Sequence, residues 1–139
     1  MADIVIIPVI IIGLILAILE IIFVHQDEAG MHPLGHALHA IPIMFVFIFI
    51  SMNIGYVTSL FKWTPSIWIT IGIRVLIGII AAIKISAAAA VAGRVGEKLP
   101  HTLTIAVLIM IAPFAWEMAI CSIPFIKTLP MNGCPAIVK

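Results

Sequence analysis

Four long apolar stretches dominate this sequence, and short polar segments separate them. The stretches cover residues 4–24, 37–58, 66–92 and 102–126. A helix that crosses a bilayer needs about 20 such residues. Backbone polar groups in lipid must be hydrogen-bonded internally, and these runs lack the alternation of barrel strands, so each stretch predicts a helix. We therefore expect an all-α fold, a single domain over residues 1–139 that forms an integral membrane bundle of four transmembrane helices. Pro42 and Pro113 fall inside two of the stretches, and each is expected to bend its helix.

The overall composition favours a bilayer over water as the main solvent of the chain. Only 9% of the 139 residues are charged and 64% are hydrophobic, whereas soluble domains carry about 25% charged residues. The formal net charge of +1 gives no electrostatic case for binding nucleic acid. The first residues, "MADIVIIP", lack the basic region of a signal peptide. We expect a multi-pass membrane protein that retains its first helix.

The four predicted spans place both termini and the second connecting segment on one side of the membrane. Lys62, Lys127 and Lys139 lie on that side, and Arg94 and Lys98 lie on the other. Basic residues favour the cytoplasmic side, so this small excess places the termini in the cytoplasm. There the two cysteines, Cys121 and Cys134, would stay reduced; on an external face they could form a disulfide.

Four ionisable residues lie within the predicted spans. An unpaired charge in a membrane costs several kcal/mol, so each of these residues is a candidate for a functional role. At about 1.5 Å per residue, Arg74 and Glu117 lie at matching depths, and so do Glu20 and Lys84. We predict two interhelical ion pairs, Arg74–Glu117 and Glu20–Lys84, with Asn53 near the depth of the first. The pairs either lock the helices together or form a path for protons or ions.

The third predicted helix carries small residues at every fourth position. Such a ladder lets another helix approach closely, either within one bundle or between subunits. The ladder is formed by Gly78, Ala82, Ser86 and Ala90. We expect this helix to be the main packing surface, for the bundle itself, for other membrane subunits or for self-association.

The segment "HQDEAGMHPLGHALH" and the third connecting segment place all five histidines on one membrane face. Imidazoles together with carboxylates are typical ligands of zinc, iron or copper. The candidate metal ligands are His25, Asp27, Glu28, His32, His36, His39 and His101. Pro33 favours the first helical position, so the second helix should begin near His32. The alternatives are proton handling by these histidines and a polar cap that only hydrogen-bonds with acids and lipid headgroups.

The sequence contains no motif of a nucleophilic or nucleotide-binding enzyme, so we do not expect catalysis. Our first functional hypothesis is a non-catalytic subunit or accessory component of a larger membrane assembly, with the histidine-rich cap exposed. The second is a proton- or cation-coupled transporter or channel that uses the intramembrane charges.

A third hypothesis is a structural protomer of a membrane-derived filament or pilus. The last two predicted helices and the basic connection "GRVGEKLPH" between them form a short hydrophobic hairpin. This hairpin resembles conjugative-type pilins, which have no counterpart for the first two helices. The resemblance implies assembly through the hairpin.

Overall fold

The computed structural model describes residues 4–27, 33–92, 99–118 and 120–125. Within these ranges the chain forms helices and no strands, which confirms the all-α class for this part of the protein. The helices are α1 (Ile7–Asp27), α2 (Pro33–Met52), α3 (Ile54–Leu60), α4 (Ile67–Ala92) and α5 (Leu99–Met118), followed by a 3₁₀ turn at Ile120–Ser122.

Three of these helices, α1, α4 and α5, are each long and apolar enough to cross a membrane. Helices α2 and α3 count together as one further candidate, a pair that is bent by 77° at the break between them. The described residues therefore provide three to four candidate spans, as expected for a multi-pass membrane protein. The stretch predicted as one span over residues 37–58 thus forms two helices, because the chain breaks at Asn53.

The side chain of Asn53 holds this break. Its Nδ2 donates to the carbonyl oxygens of Phe49 at 2.9 Å and Val5 at 3.0 Å, and its Oδ1 accepts from the Val5 N–H at 2.6 Å. Val5 belongs to the non-helical segment before α1. The side-chain amide of Asn53 therefore hydrogen-bonds with both the N–H and the carbonyl of Val5, as another peptide group would. We call this arrangement the Asn53–Val5 clasp. Neither Pro42 nor Pro113 ends its helix.

The bundle places α1 and α4 diagonally, because α2 and α5 each pack against both of them. The fully buried centre is made of apolar side chains from all four long helices. It includes Leu16, Met44, Ile48, Ala81, Ile85, Ile105 and Ile109. Helices α1 and α2 are in close contact at Gly13, where an added Cβ would overlap the ring of Phe45. A glycine at this position lets the aromatic ring lie directly on the backbone of α1.

The last helix is shorter at its C-terminus than the sequence predicts. It begins at Leu99 and ends at Met118, well before residue 126. The apolar composition continues beyond it, but the chain turns into the 3₁₀ segment, where Cys121 is fully buried and disulfide-bonded. The other cysteine of the chain, Cys134, lies outside the described residues. Because α5 ends early, Glu117 lies in its last turn.

Candidate functional site

A charge pair joins α4 to the end of α5. The guanidinium of Arg74 donates from Nη2 to Oε1 of Glu117 at 2.5 Å and from Nη1 to Oε2 at 3.4 Å. The side chain of Arg74 is 6% exposed and that of Glu117 is 33% exposed. This two-pronged geometry is the strongest arrangement available to arginine and a carboxylate. The structure thus brings together two of the four intramembrane charges that the sequence singles out.

Phe114 also fixes the position of Arg74. The ring centroid lies 4.4 Å from the Cζ of the guanidinium, which is a cation–π contact. Phe114 and Glu117 are three residues apart, so they lie on the same side of α5. Phe114 contacts the flat face of the guanidinium, and Glu117 accepts hydrogen bonds at its edge. Its Nε has no hydrogen-bond partner in the described part of the chain. Arg74 is therefore held from one face and one edge, and its Nε is a buried donor.

A polar cavity of about 580 Å³ opens beside this pair. It lies between α3, the α3–α4 connection, α4 and the end of α5, and both Arg74 and Glu117 line it. No other charged residue among the described ones lines the cavity. Since the two charges are opposite, the wall as a whole is neutral but strongly dipolar.

Hydroxyl groups form a second polar part of the cavity wall. Thr58 donates to the carbonyl oxygen of Ile54 at 2.9 Å, and Ser59 donates to that of Tyr56 at 2.7 Å. Thr70, on α4, donates to the Ser66 carbonyl at 3.1 Å. Because each hydroxyl proton is used within its own helix or at its start, the oxygens have lone pairs left to accept a hydrogen bond. The cavity therefore combines the donors of arginine with acceptors from hydroxyls and a carboxylate.

We call this region, from the Asn53–Val5 clasp to Glu117, the cavity end.

The opposite end of the bundle holds the histidines, and we call it the histidine end. The ring of His101, in the first turn of α5, stacks on Phe23 of α1, with centroids 4.5 Å apart and an interplanar angle of 14°. This contact places His101 beside the α1 C-terminus, which carries His25. His25 and His39 are exposed and His101 is half-buried.

The described residues do not form the predicted metal site. They contain no group of three histidine, cysteine or acidic side chains that could hold a metal ion. Glu28 and His32 lie outside the described residues. Asp27 and His36 belong to α1 and α2, but the positions of their side chains also lie outside the description. Binding of zinc, iron or copper at this end therefore stays a prediction.

The structure does not join Glu20 to Lys84. Glu20 is 1% exposed within the bundle, whereas the side chain of Lys84 is exposed on the outer surface of α4. Lys84 makes no ion pair with the described residues. The physical reason is the diagonal placement of α1 and α4, because matching depth brings side chains together only on adjacent helices.

The small-residue ladder of α4 lies partly against α5. Gly78 is buried, and a Cβ there would overlap the side chain of Met110. Ala82 is half-buried and lines a groove with Ala106 of α5. Ser86 is exposed, and the side chain of Ala90 lies outside the description. The first half of the ladder therefore packs within the chain.

Three features of the site were missed by the sequence analysis. The spacing of Phe114 and Glu117 is a helical i, i+3 pattern that could have been noticed. The clasp between Asn53 and Val5, and the cavity behind α3, depend on how the broken helix folds back, and no local pattern encodes this.

Comparison with known proteins gives no relative. No protein-family model matches the chain, and no significant match was found among curated proteins or solved structures.

Proposed function

We propose that this chain is a membrane protein with four spans, in which α2 and α3 together form one broken span. We further propose that it carries a small polar solute or ion across the membrane, as a proton- or cation-coupled transporter or channel. The cavity between α3, α4 and α5 is the proposed binding site, and Arg74 and Glu117 are its charged residues.

The observation that carries this proposal is the ion pair between buried Arg74 and partly exposed Glu117, on the wall of a cavity next to a broken helix. Arg74 lies seven residues, or about 10 Å, from the start of α4. Charged side chains at such a depth are costly, and in membrane proteins they usually mark a path for ions or solutes. Broken helices are tolerated in a membrane where they line a cavity, and transporters bind substrates at such breaks.

Ion flux into liposomes tests the proposal. The full chain is reconstituted, a pH gradient or a Na⁺ or K⁺ gradient is imposed, and flux is recorded with an enclosed fluorescent indicator. We expect flux above that of protein-free liposomes, and Glu117→Gln should reduce it at least about tenfold. Lys84→Gln is the matched control, since it removes an exposed charge from the same bundle and should leave the flux unchanged. Equal flux in wild type and Glu117→Gln would refute the proposal.

A second candidate function is that of a non-catalytic component of a larger membrane assembly. The exposed position of Lys84 on α4 supports it, because a neighbouring subunit with a carboxylate could pair with this ammonium group. Lysine can alternatively extend to the lipid headgroups along its flexible stem. Native mass spectrometry of the purified chain tests the case in which the neighbouring subunit is a second copy of this chain. Self-assembly through α4 predicts oligomers that Lys84→Gln dissociates, whereas a monomeric wild type excludes self-assembly.

We also propose that the cavity end, together with both termini, faces an oxidising compartment. The disulfide at Cys121 supports this orientation, since such bonds persist outside the reducing cytoplasm. The small excess of basic residues points the other way. Labelling of a cysteine introduced at Ser66, with a membrane-impermeant maleimide on intact cells, tests the orientation. Rapid labelling is expected, and labelling only after cell lysis would reverse the assignment.

A further inference from the structure

We infer that the ligand of the cavity is a small zwitterion, with an ammonium and a carboxylate group on one carbon, as in an α-amino acid. The inference rests on the proposed transport site and specifies its substrate. It comes from the way in which donors and acceptors are distributed over the cavity wall.

The carboxylate of such a ligand fits Arg74. This guanidinium is 6% exposed and is held by Phe114, so it stays in place when a ligand enters. Its Nη1 and Nη2 both point to Glu117, and the Nη1 contact is only 3.4 Å. Arginine has five N–H donors, and a buried guanidinium is favoured when acceptors fill them. The carboxylate of a ligand can take the place of Glu117 on Nη1 and Nη2, because a carboxylate accepts from both at once.

The ammonium group of the ligand fits Glu117 and the hydroxyls. Glu117 is one-third exposed and lies in the last turn of α5, so it is the member of the pair that can move aside. The hydroxyl oxygens of Thr58 and Thr70 line the same cavity with their protons already donated to carbonyls. An ammonium group supplies three donors and no acceptor, which matches this set of acceptors.

The charge balance also favours a zwitterion over a simple ion. The cavity wall is neutral, because its two charged residues cancel. A lone anion bound to Arg74 would leave Glu117 as an excess negative charge in a partly buried region. A lone cation bound to Glu117 would leave Arg74 as an excess positive charge. A zwitterion inserted between the two residues forms two ion pairs and leaves the site neutral. A cavity of about 580 Å³ lies within the usual range for small-molecule sites, about 300–1,000 Å³.

Three probes of similar size separate these ligand classes. Alanine carries both groups, propionate lacks the ammonium group, and ethylamine lacks the carboxylate. Binding to the purified full chain in nanodiscs is measured by isothermal titration calorimetry. We expect alanine to bind at least about tenfold more tightly than either single-charge probe, since each removes one charged hydrogen-bonded contact. Glu117→Gln should lower the affinity for alanine toward that of propionate.

The controls separate this inference from the proposed function. Lys84→Gln should bind alanine as wild type does. Propionate binding as tightly as alanine would make the site an anion site, and ethylamine binding as tightly would make it a cation site. Either result overturns the inference but leaves transport through the cavity standing. If no probe binds although flux depends on Glu117, only the ligand class is wrong. If flux does not depend on Glu117, the proposed function fails as well.

Discussion

Both ends of the bundle carry polar residues, but the described residues organise them differently at each end. At the cavity end, Arg74 and Glu117 form an ion pair between α4 and α5 and line one cavity, and Asn53 hydrogen-bonds with Val5 nearby. At the histidine end, His25 and His39 are exposed, and the ring of His101 stacks on Phe23 of α1. The difference is one of exposure. A buried charge such as that of Arg74 must find its partners in the protein, whereas exposed side chains can also use water or lipid headgroups.

This contrast predicts that single substitutions should have their largest effects at the cavity end. We expect Glu117→Leu to lower the free energy of unfolding by about 3 kcal/mol, because it leaves the buried Arg74 charge without its partner. Arg74→Leu should cost less, about 1 kcal/mol, since the remaining Glu117 is one-third exposed and can be hydrated. Reversible unfolding in mixed micelles measures both. Equal costs would show that the two charges are equally accessible to water.

The Asn53–Val5 clasp should have the next largest effect. Asn53→Ala removes three hydrogen bonds and leaves the partly buried N–H and carbonyl of Val5 without partners, which we expect to cost about 2 kcal/mol. Asn53→Asp keeps the acceptor for the Val5 N–H and loses both hydrogen-bond donors. The free energy of unfolding should therefore fall by a different amount than in Asn53→Ala. Hydrogen exchange at the Val5 amide should quicken in the alanine variant. Unchanged protection there would show that the clasp does not hold the N-terminal segment.

Close packing between helices is tested by two glycines. Gly13→Ala places a Cβ against the ring of Phe45, and we expect a net loss of about 1 kcal/mol after the gain in helix propensity. Gly72→Ala meets no atom within 4 Å and should stabilise the protein by up to about 1 kcal/mol. The melting temperatures of the two variants should therefore shift in opposite directions. A shift in the same direction would mean that α1 and α2 are not closely packed at Gly13.

The smallest effect is expected at the histidine end. His101→Ala removes the stacking on Phe23, which should cost less than about 1 kcal/mol. His25→Ala, an exposed histidine at the same end, should change the stability by almost nothing. The comparison is made in metal-free buffer and again with added Zn²⁺. If Zn²⁺ stabilised the wild type but not His25→Ala, the histidine end would be a metal site. Both ends of the bundle would then hold an ordered polar site.

How much of this could be read from the sequence depends on the kind of feature. Helix class and most helix starts follow from local composition: α2 begins at Pro33, as that proline predicts. The break at Asn53 does not follow, because bends are expected at prolines, yet α2 continues through Pro42. The break instead depends on the contact between Asn53 and Val5, 48 residues apart.

The charged residues show the same limit. From matching depths along the predicted helices, the sequence predicts that Arg74 pairs with Glu117 and that Glu20 pairs with Lys84. Only the first pair lies on adjacent helices, α4 and α5, and the structure joins its two residues in an ion pair. Which helices are neighbours is a property of the whole bundle, and four apolar stretches with similar composition do not determine it. Candidate charged residues could therefore be named from the sequence, but the cavity that they line could not.

The most direct test of the account compares the two ends in one flux experiment. Wild type, Glu117→Gln and a double variant with His25→Ala and His39→Ala are reconstituted in liposomes from the same lipid preparation, and the proton or cation flux of each is recorded. We predict that Glu117→Gln loses the flux and that the histidine variant keeps the wild-type rate. Loss of flux in the histidine variant, with Glu117→Gln unaffected, would place the function at the opposite end of the bundle and contradict the account.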